Sequence, residues 1–217
     1  MRLYAYYRSS TSYRLRIALN LKRLAYDVVP VDLIAGEQRG EAFRAINPFG
    51  GVPVLEADGR RYAQSMAMLE WLDERHPDPP LLPTDIEERF AARELAYAIA
   101  TELHAPLNLP VLQYLKHEFG QDQAAVDRWY RHWLAKTLPG IEAKLAGRGG
   151  ADERGDFLFA SPGLFEAVLV PQLYNARRFA FDFSELPRLT RIEAACLALP
   201  EFRAAHPDAQ PDAPEQG

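Results

Sequence analysis

The sequence predicts an α/β unit over residues 1–82 followed by an all-helical unit over residues 83–217. Three observations carry this. Short strand-like and helical segments alternate through the first eighty or so residues in the order β-α-β-α-β-β-α, joining a parallel crossover to a hairpin. The stretch "HPDPPLLPTD", His76 to Asp85, holds four prolines in ten residues and reads as a linker. Beyond it strand signals almost vanish and helical periodicity takes over.

"RLYAYY" is a brief apolar strand. "SYRLRIALNLKR" carries Leu15, Ala18, Leu19 and Lys22 on one helical stripe, widened by Ile17 and Leu21. "AYDVVPVDL" is a second strand, with Pro30 pushing it to a sheet edge. "GEAFRAINP" is a short helix stopped before Pro48. "VPVLEADGRRYAQ" is a hairpin, because Asp58-Gly59 supplies the left-handed conformations of a tight turn. "SMAMLEWLDERH" is an amphipathic helix beginning at Ser65.

Helical patterns then cover residues 86 to about 119, 123 to about 145, 163 to about 179 and 189 to about 199. "AGRGGADERGD", residues 146–156, is a polar surface loop. Gly163 caps the third of these helices, and Glu166 at its third position suits the helix dipole. The tail "HPDAQPDAPEQG" has too few apolar groups to pack alone.

The bulk composition excludes several classes. The chain has 217 residues, 48% hydrophobic and 25% charged, the balance of an ordinary globular protein. A formal charge of −5 and the lack of a basic block argue against nucleic acid as the main partner. No run approaches the roughly 18 apolar residues of a membrane span. The N-terminus "MRLYAYYRSS" lacks an apolar signal core. A single cysteine, Cys196, excludes an intrachain disulfide and a cysteine metal cluster, and its apolar helix marks it as a core residue. A cytoplasmic enzyme or binding protein without a metal is the expectation.

Three places in the first unit are chemically unusual. Ser9, Ser10, Thr11 and Ser12 follow Arg8 at the junction of the first strand and helix. One hydroxyl suffices to cap a helix. A helix N-terminus with several favours an anion, through its outward N–H groups and positive dipole end. Val52-Pro53, after Gly50-Gly51, sits directly before a strand, where a cis peptide would turn backbone polar groups toward a ligand. Gln64-Ser65 precedes the next helix, a second place to receive a carboxylate. Each feature alone has an ordinary structural explanation; the combination in this order is uncommon.

These residues resemble a glutathione transferase, whose thioredoxin-like N-terminal domain has this strand order, a cis-proline and a Gln-Ser pair, followed by a helical domain. The closer resemblance is to the zeta class, which includes maleylacetoacetate and maleylpyruvate isomerases. "YRSSTSYRLRIALNLK", "LVPQLYNARRF" and "HPDAQPDAP" are each similar to segments of that class. The similarity runs through almost the whole chain. The chain departs from the class pattern at Phe49, Leu107 and Pro110, each of which replaces a polar residue.

The resemblance implies glutathione as cofactor, a small acidic substrate and a two-fold homodimer. It implies Ser9, Ser10 and Thr11 as catalytic hydroxyls. Val52, cis Pro53, Gln64, Ser65, Gln38 and Asn108 would hold glutathione, and Arg8, His104 and Arg178 the substrate. The chemistry is consistent. A free thiol is mostly protonated at neutral pH, while the thiolate is the nucleophile. A hydrogen bond to a charged group contributes about 1.5–3 kcal/mol, or about one to two pKa units. Isomerising a maleyl to a fumaryl group requires thiolate addition to a conjugated cis double bond, rotation, and expulsion of the thiolate. A diacid-like substrate calls for arginine, whose planar fork binds both carboxylate oxygens. A transferase or peroxidase acting on small electrophiles, or a non-catalytic glutathione-binding module, would use the same fold.

Overall fold

The computed structural model describes residues 1–147 and 156–214, so most of the polar loop expected at 146–156 lies outside the described residues. The chain divides into two compact units. One is Met1–Leu82 together with the segment from Leu197 onward; the other is Pro83–Cys196. The helical unit, expected to run to 217, instead ends at 196, and the C-terminal segment groups with the first unit.

The first unit is built from β1 (Arg2–Ala5), α1 (Ser10–Leu21), β2 (Asp27–Pro30), α2 (Glu41–Arg44), β3 (Val54–Ala57), β4 (Arg60–Tyr62) and α3 (Ser65–Arg75). Its sheet has the order β2-β1-β3-β4. β1 pairs parallel with β2 and antiparallel with β3, which pairs antiparallel with β4. This is the thioredoxin-like arrangement. Pro30 lies at the end of edge strand β2, where its missing N–H does no harm. Asp58 and Gly59 take φ values of 50° and 72°, the left-handed pair that the β3–β4 turn requires.

Alternation along β1 and β3 sends side chains to both faces. Tyr4 and Val54, opposite each other in register, pack with Val31 and with Phe43 of α2. Leu3 and Leu55, the next pair, are fully buried on the other face. Helix α1 is buried from Ser12 to Leu19, as a central helix must be, and packs against α3 and against α10 (Pro200–Ala205). Lys22, on its expected stripe, is also buried. Its Nζ donates to Asp73 Oδ1 at 2.8 Å and to the carbonyls of His76 and Pro79 at 2.6 and 2.9 Å. The proline-rich stretch is thereby pinned to the first unit, and Leu81 and Leu82 are buried.

The second unit contains α4 (Ile86–Tyr97), a π-helical stretch Ala98–His104, α5 (Ala105–Leu107), α6 (Leu109–His117), α7 (Gln123–Ala146), α8 (Leu164–Arg178) and α9 (Pro187–Leu197). The single helical pattern expected over 86–119 is thus interrupted. Pro106 and Pro110 each lack an N–H, and between them Asn108 turns extended (ψ 157°) and caps α6. α8 is the central helix, with Phe165, Val168, Leu169 and Leu173 fully buried. Its start follows the expected Gly163–Glu166 pattern. Glu166 accepts from the N–H of Gly163 at 2.8 Å and of Leu158 at 2.7 Å. Among the described residues, no helix is long and apolar enough to cross a membrane.

Candidate active site

The hydroxyl run opens α1 as a connected chain. Ser9 is the N-cap, its Oγ accepting from the Ser12 N–H at 3.2 Å. Thr11 Oγ1 donates to the Val52 carbonyl at 3.0 Å. A hydroxyl has one hydrogen, so in the 2.9 Å contact between Ser9 and Thr11 the donor is Ser9. The chain runs Ser9 to Thr11 to Val52, and it ties the helix start to the corner where the Val52–Pro53 peptide is cis. Ser10, the first helical residue, is buried in the same turn.

Both backbone groups of Tyr7, just before Arg8, are held by distant residues. Asp212 Oδ2 accepts from the Tyr7 N–H at 2.8 Å, and Arg16 Nη2 donates to the Tyr7 carbonyl at 2.8 Å. Arg16 Nε donates to the Ala205 carbonyl at 2.9 Å, and Asn20 Nδ2 to that of Glu201 at 2.8 Å. Helix α10 and the described part of the polar tail, 206–214, form a hydrogen-bonded strap across α1 and the loop before it, with Pro207 buried. Gln210 closes it, its Nε2 donating to the carbonyls of Ala204 and His206. Arg8 is half-buried, its guanidinium 5.8 Å from the centre of the Tyr7 ring.

Two further segments of the first unit carry expected residues. Asn47 holds the approach to Val52, its Nδ2 donating to the Gly51 carbonyl at 2.7 Å and its Oδ1 accepting from the Phe49 N–H at 3.1 Å. Phe49 is 77% exposed. Gly50 (φ 61°) favours glycine, because a side chain is strained in this left-handed backbone and a Cβ would stand only 3.1 Å from the Gln38 carbonyl. Gln38 is buried in a 3-10 turn, and its Oε1 meets no donor among the described residues.

At the start of α3, exposed Gln64 has φ 71° and ψ 101°, a conformation costing a non-glycine residue about 1–3 kcal/mol and characteristic of ligand sites. Ser65 follows it, buried, and its Oγ accepts from Arg14 Nη1 at 3.2 Å. Arg14 and Asp212 were not among the residues expected from sequence. The one trace of Arg14 in the sequence is its place in "YRLRIAL", a segment that is apolar but for Tyr13, Arg14 and Arg16. No local pattern pointed to Asp212.

The second unit holds the other three expected residues. Asn108 Oδ1 accepts from the Val111 N–H at 3.1 Å, so this oxygen is engaged as the cap of α6. Leu107 beside it is buried and belongs to the core of the unit. His104 is half-buried at the end of the π-helical stretch. In "NARRF" the two arginines diverge. Both are exposed, but Arg177 forms an ion pair with Glu193, whereas Arg178, at the end of α8, lies 3.3 Å from Asn175 Oδ1. Cys196 is fully buried, and burial pushes its thiol well above the ordinary range.

Residues 3–80 match the family model of the glutathione S-transferase N-terminal domain. Maleylacetoacetate isomerase of Pseudomonas aeruginosa is 42% identical over 217 residues, covering 99% of both chains. Among solved structures, the holo form of a maleylpyruvate isomerase, described as a bacterial zeta-class glutathione S-transferase, superposes with a TM-score of 0.95. It is 41% identical, over 99% of this chain and 100% of that one. Maleylacetoacetate isomerase of Anaeromyxobacter dehalogenans 2CP-1, with glutathione bound in its active site, has a TM-score of 0.85 and 45% identity, over 98% of this chain and 97% of that one. Similarity of this extent, together with the hydroxyl run and the cis Val52–Pro53 corner, means that the chain belongs to the zeta class of the glutathione S-transferases.

Proposed function

We propose that the protein is a glutathione-dependent cis–trans isomerase of maleylacetoacetate or maleylpyruvate. The observation that carries this reading is the hydroxyl chain at the start of α1, tied through Thr11 to Val52. The residues fit glutathione, an anionic tripeptide thiol. A helix start rich in hydroxyls suits its sulfur, the Val52 backbone its cysteinyl unit, and Gln64 and Ser65 its γ-glutamyl end. Gln38, whose buried Oε1 meets no donor among the described residues, suits the glycine end by accepting from the glycyl N–H. Asn108 stands in this scheme as a contributor through its amide nitrogen, since its oxygen caps α6.

When bound, glutathione supplies a thiolate that adds to the conjugated cis double bond, permits rotation and leaves unchanged. The chain's own residues do the rest. Ser10 donates toward the sulfur and favours its ionised form, as does Ser9 once its hydrogen turns from Thr11 to the thiolate, aided by the positive end of α1. Thr11, whose hydrogen is directed to Val52, positions the loop. Arg8, Arg178 and His104 receive the carboxylates of a small acidic substrate. The enzyme works as a two-fold homodimer. The exposed stripe on α4 formed by Ile86 (75% exposed), Phe90 (63%) and Tyr97 supports this, because such a face is costly in water. A monomer by sedimentation at micromolar concentration would contradict it. A reduced thiol cofactor fits the cytoplasm, which cell fractionation checks.

The direct test is purified protein with glutathione and maleylpyruvate or maleylacetoacetate, following the fumaryl product. Conversion that requires glutathione and consumes none of it is the expected result. Conjugation of a neutral electrophile without isomerisation of either acid would identify a general transferase instead. Arg178→Ala should weaken turnover of the acids by about 10-fold or more and leave a neutral electrophile nearly unaffected, as loss of a charge-assisted hydrogen bond implies.

A further inference from the structure

Arg14 is 1% exposed, and among the described residues its guanidinium makes one hydrogen bond, Nη1 to Ser65 Oγ at 3.2 Å. Its Nε and Nη2 are buried and meet no acceptor among the described residues, and no carboxylate there is paired with it. A buried cation in this state is expensive, because desolvation is not offset by an opposite charge. Burial pushes the guanidinium down to about 10, which still leaves it charged at neutral pH. The charge stands behind the first turn of α3, an eleven-residue helix whose N–H groups already favour an anion.

The hydrogen-bond polarity adds a second effect. Arginine only donates, so Ser65 Oγ accepts from Arg14 and its own hydrogen is directed elsewhere. A hydroxyl that accepts from a cation becomes a stronger donor. Ser65 is therefore prepared to donate to an anion rather than to accept from a cation.

We propose that Arg14 is the positioning residue that selects a carboxylate at the start of α3, acting through Ser65 and through its own unbalanced charge. This rests on the reading that the protein binds glutathione, whose γ-glutamyl α-carboxylate is the anion selected. Arg14 is not a catalytic residue, because its effect reaches the ligand through Ser65 and the helix start.

The test compares two peptides, glutathione and 4-aminobutyryl-cysteinyl-glycine, which lacks only that α-carboxylate. Wild-type protein should bind glutathione at least about 10-fold more tightly by calorimetry, the value of one charge-assisted hydrogen bond. Arg14→Met should abolish most of that preference by weakening glutathione alone, and Arg14→Lys should restore part of it. With saturating glutathione, kcat for the acid substrate should stay within about 2-fold while KM for glutathione rises about 10-fold or more, the pattern of a lost binding interaction. Equal weakening of both peptides, or a fall in kcat at unchanged KM, would assign Arg14 a structural role only and overturn the proposal. Should Arg14→Met fail to fold, the wild-type preference and the Arg14→Lys variant still decide. A wild type that binds both peptides alike overturns the assignment of Arg14, whereas one that binds neither overturns the glutathione reading as well.

Discussion

Thr11 Oγ1 donates to the Val52 carbonyl at 3.0 Å across a sequence gap of 41 residues. The bond joins the helix start that offers hydroxyls to the corner that offers backbone groups. With the Thr11 hydrogen spent on Val52, the Ser9 hydroxyl donates to Thr11, so that a ligand sulfur must draw the Ser9 hydrogen away from Thr11. Thr11→Val, close to isosteric, should cost about 1 kcal/mol of stability, the usual value of a hydrogen bond. KM for glutathione should rise by a few-fold and the pKa of the bound thiol should move little. Thr11→Ser should restore both. Urea unfolding and steady-state kinetics check this.

The Asp212–Tyr7 bond makes the C-terminal strap part of the site's support. Asp212→Ala leaves a partly buried N–H without its acceptor, at a cost of about 1–3 kcal/mol. Because that N–H lies one residue before Arg8, kcat/KM should fall more than the small loss of folded protein explains. Activity per folded molecule, measured beside a denaturation curve, separates the two effects. Unchanged activity would reduce the strap to a stabilising element.

Cys196 is the only cysteine, and its thiol is fully buried with its pKa raised by desolvation first, then by Glu166 and Glu193. A raised thiol pKa keeps the neutral form at all ordinary pH values. The native protein should therefore not react with a disulfide reagent between pH 6 and about 9, and should react with one equivalent once unfolded. Cys196→Ala should leave the pH profile of catalysis where it was. A shifted profile would mean that a protein thiol takes part.

Much of this was legible in the sequence because it is local. Asp58-Gly59 specifies a turn by its own backbone preferences, and Ser9 caps α1 within three residues of itself. The resemblance supplied the cis Val52–Pro53 corner, which local pattern alone would have left trans. What stayed hidden depends on long-range partners. Asp212 meets Tyr7 across 205 residues, and no periodicity reports such a pair. The tail reads as unable to pack because its anchorage is polar. Arg14 reads as one polar position in a helix until the helix proves buried on every side. The break at Asn108 was written in Pro106 and Pro110, but a helical pattern counted by apolar spacing passes over both.

The central claim is that the hydroxyls at the start of α1 stabilise a glutathione thiolate. The most direct measurement is ultraviolet titration of the bound thiol in the wild type and in the Ser9→Ala/Ser10→Ala double variant. The wild type should hold the thiol below its free value, and the double variant should raise it by about one to two units, with much of the lost turnover returning at high pH. An unchanged thiol pKa in the double variant would contradict the claim, leave the hydroxyl run as a helix cap, and require another group to stabilise the thiolate.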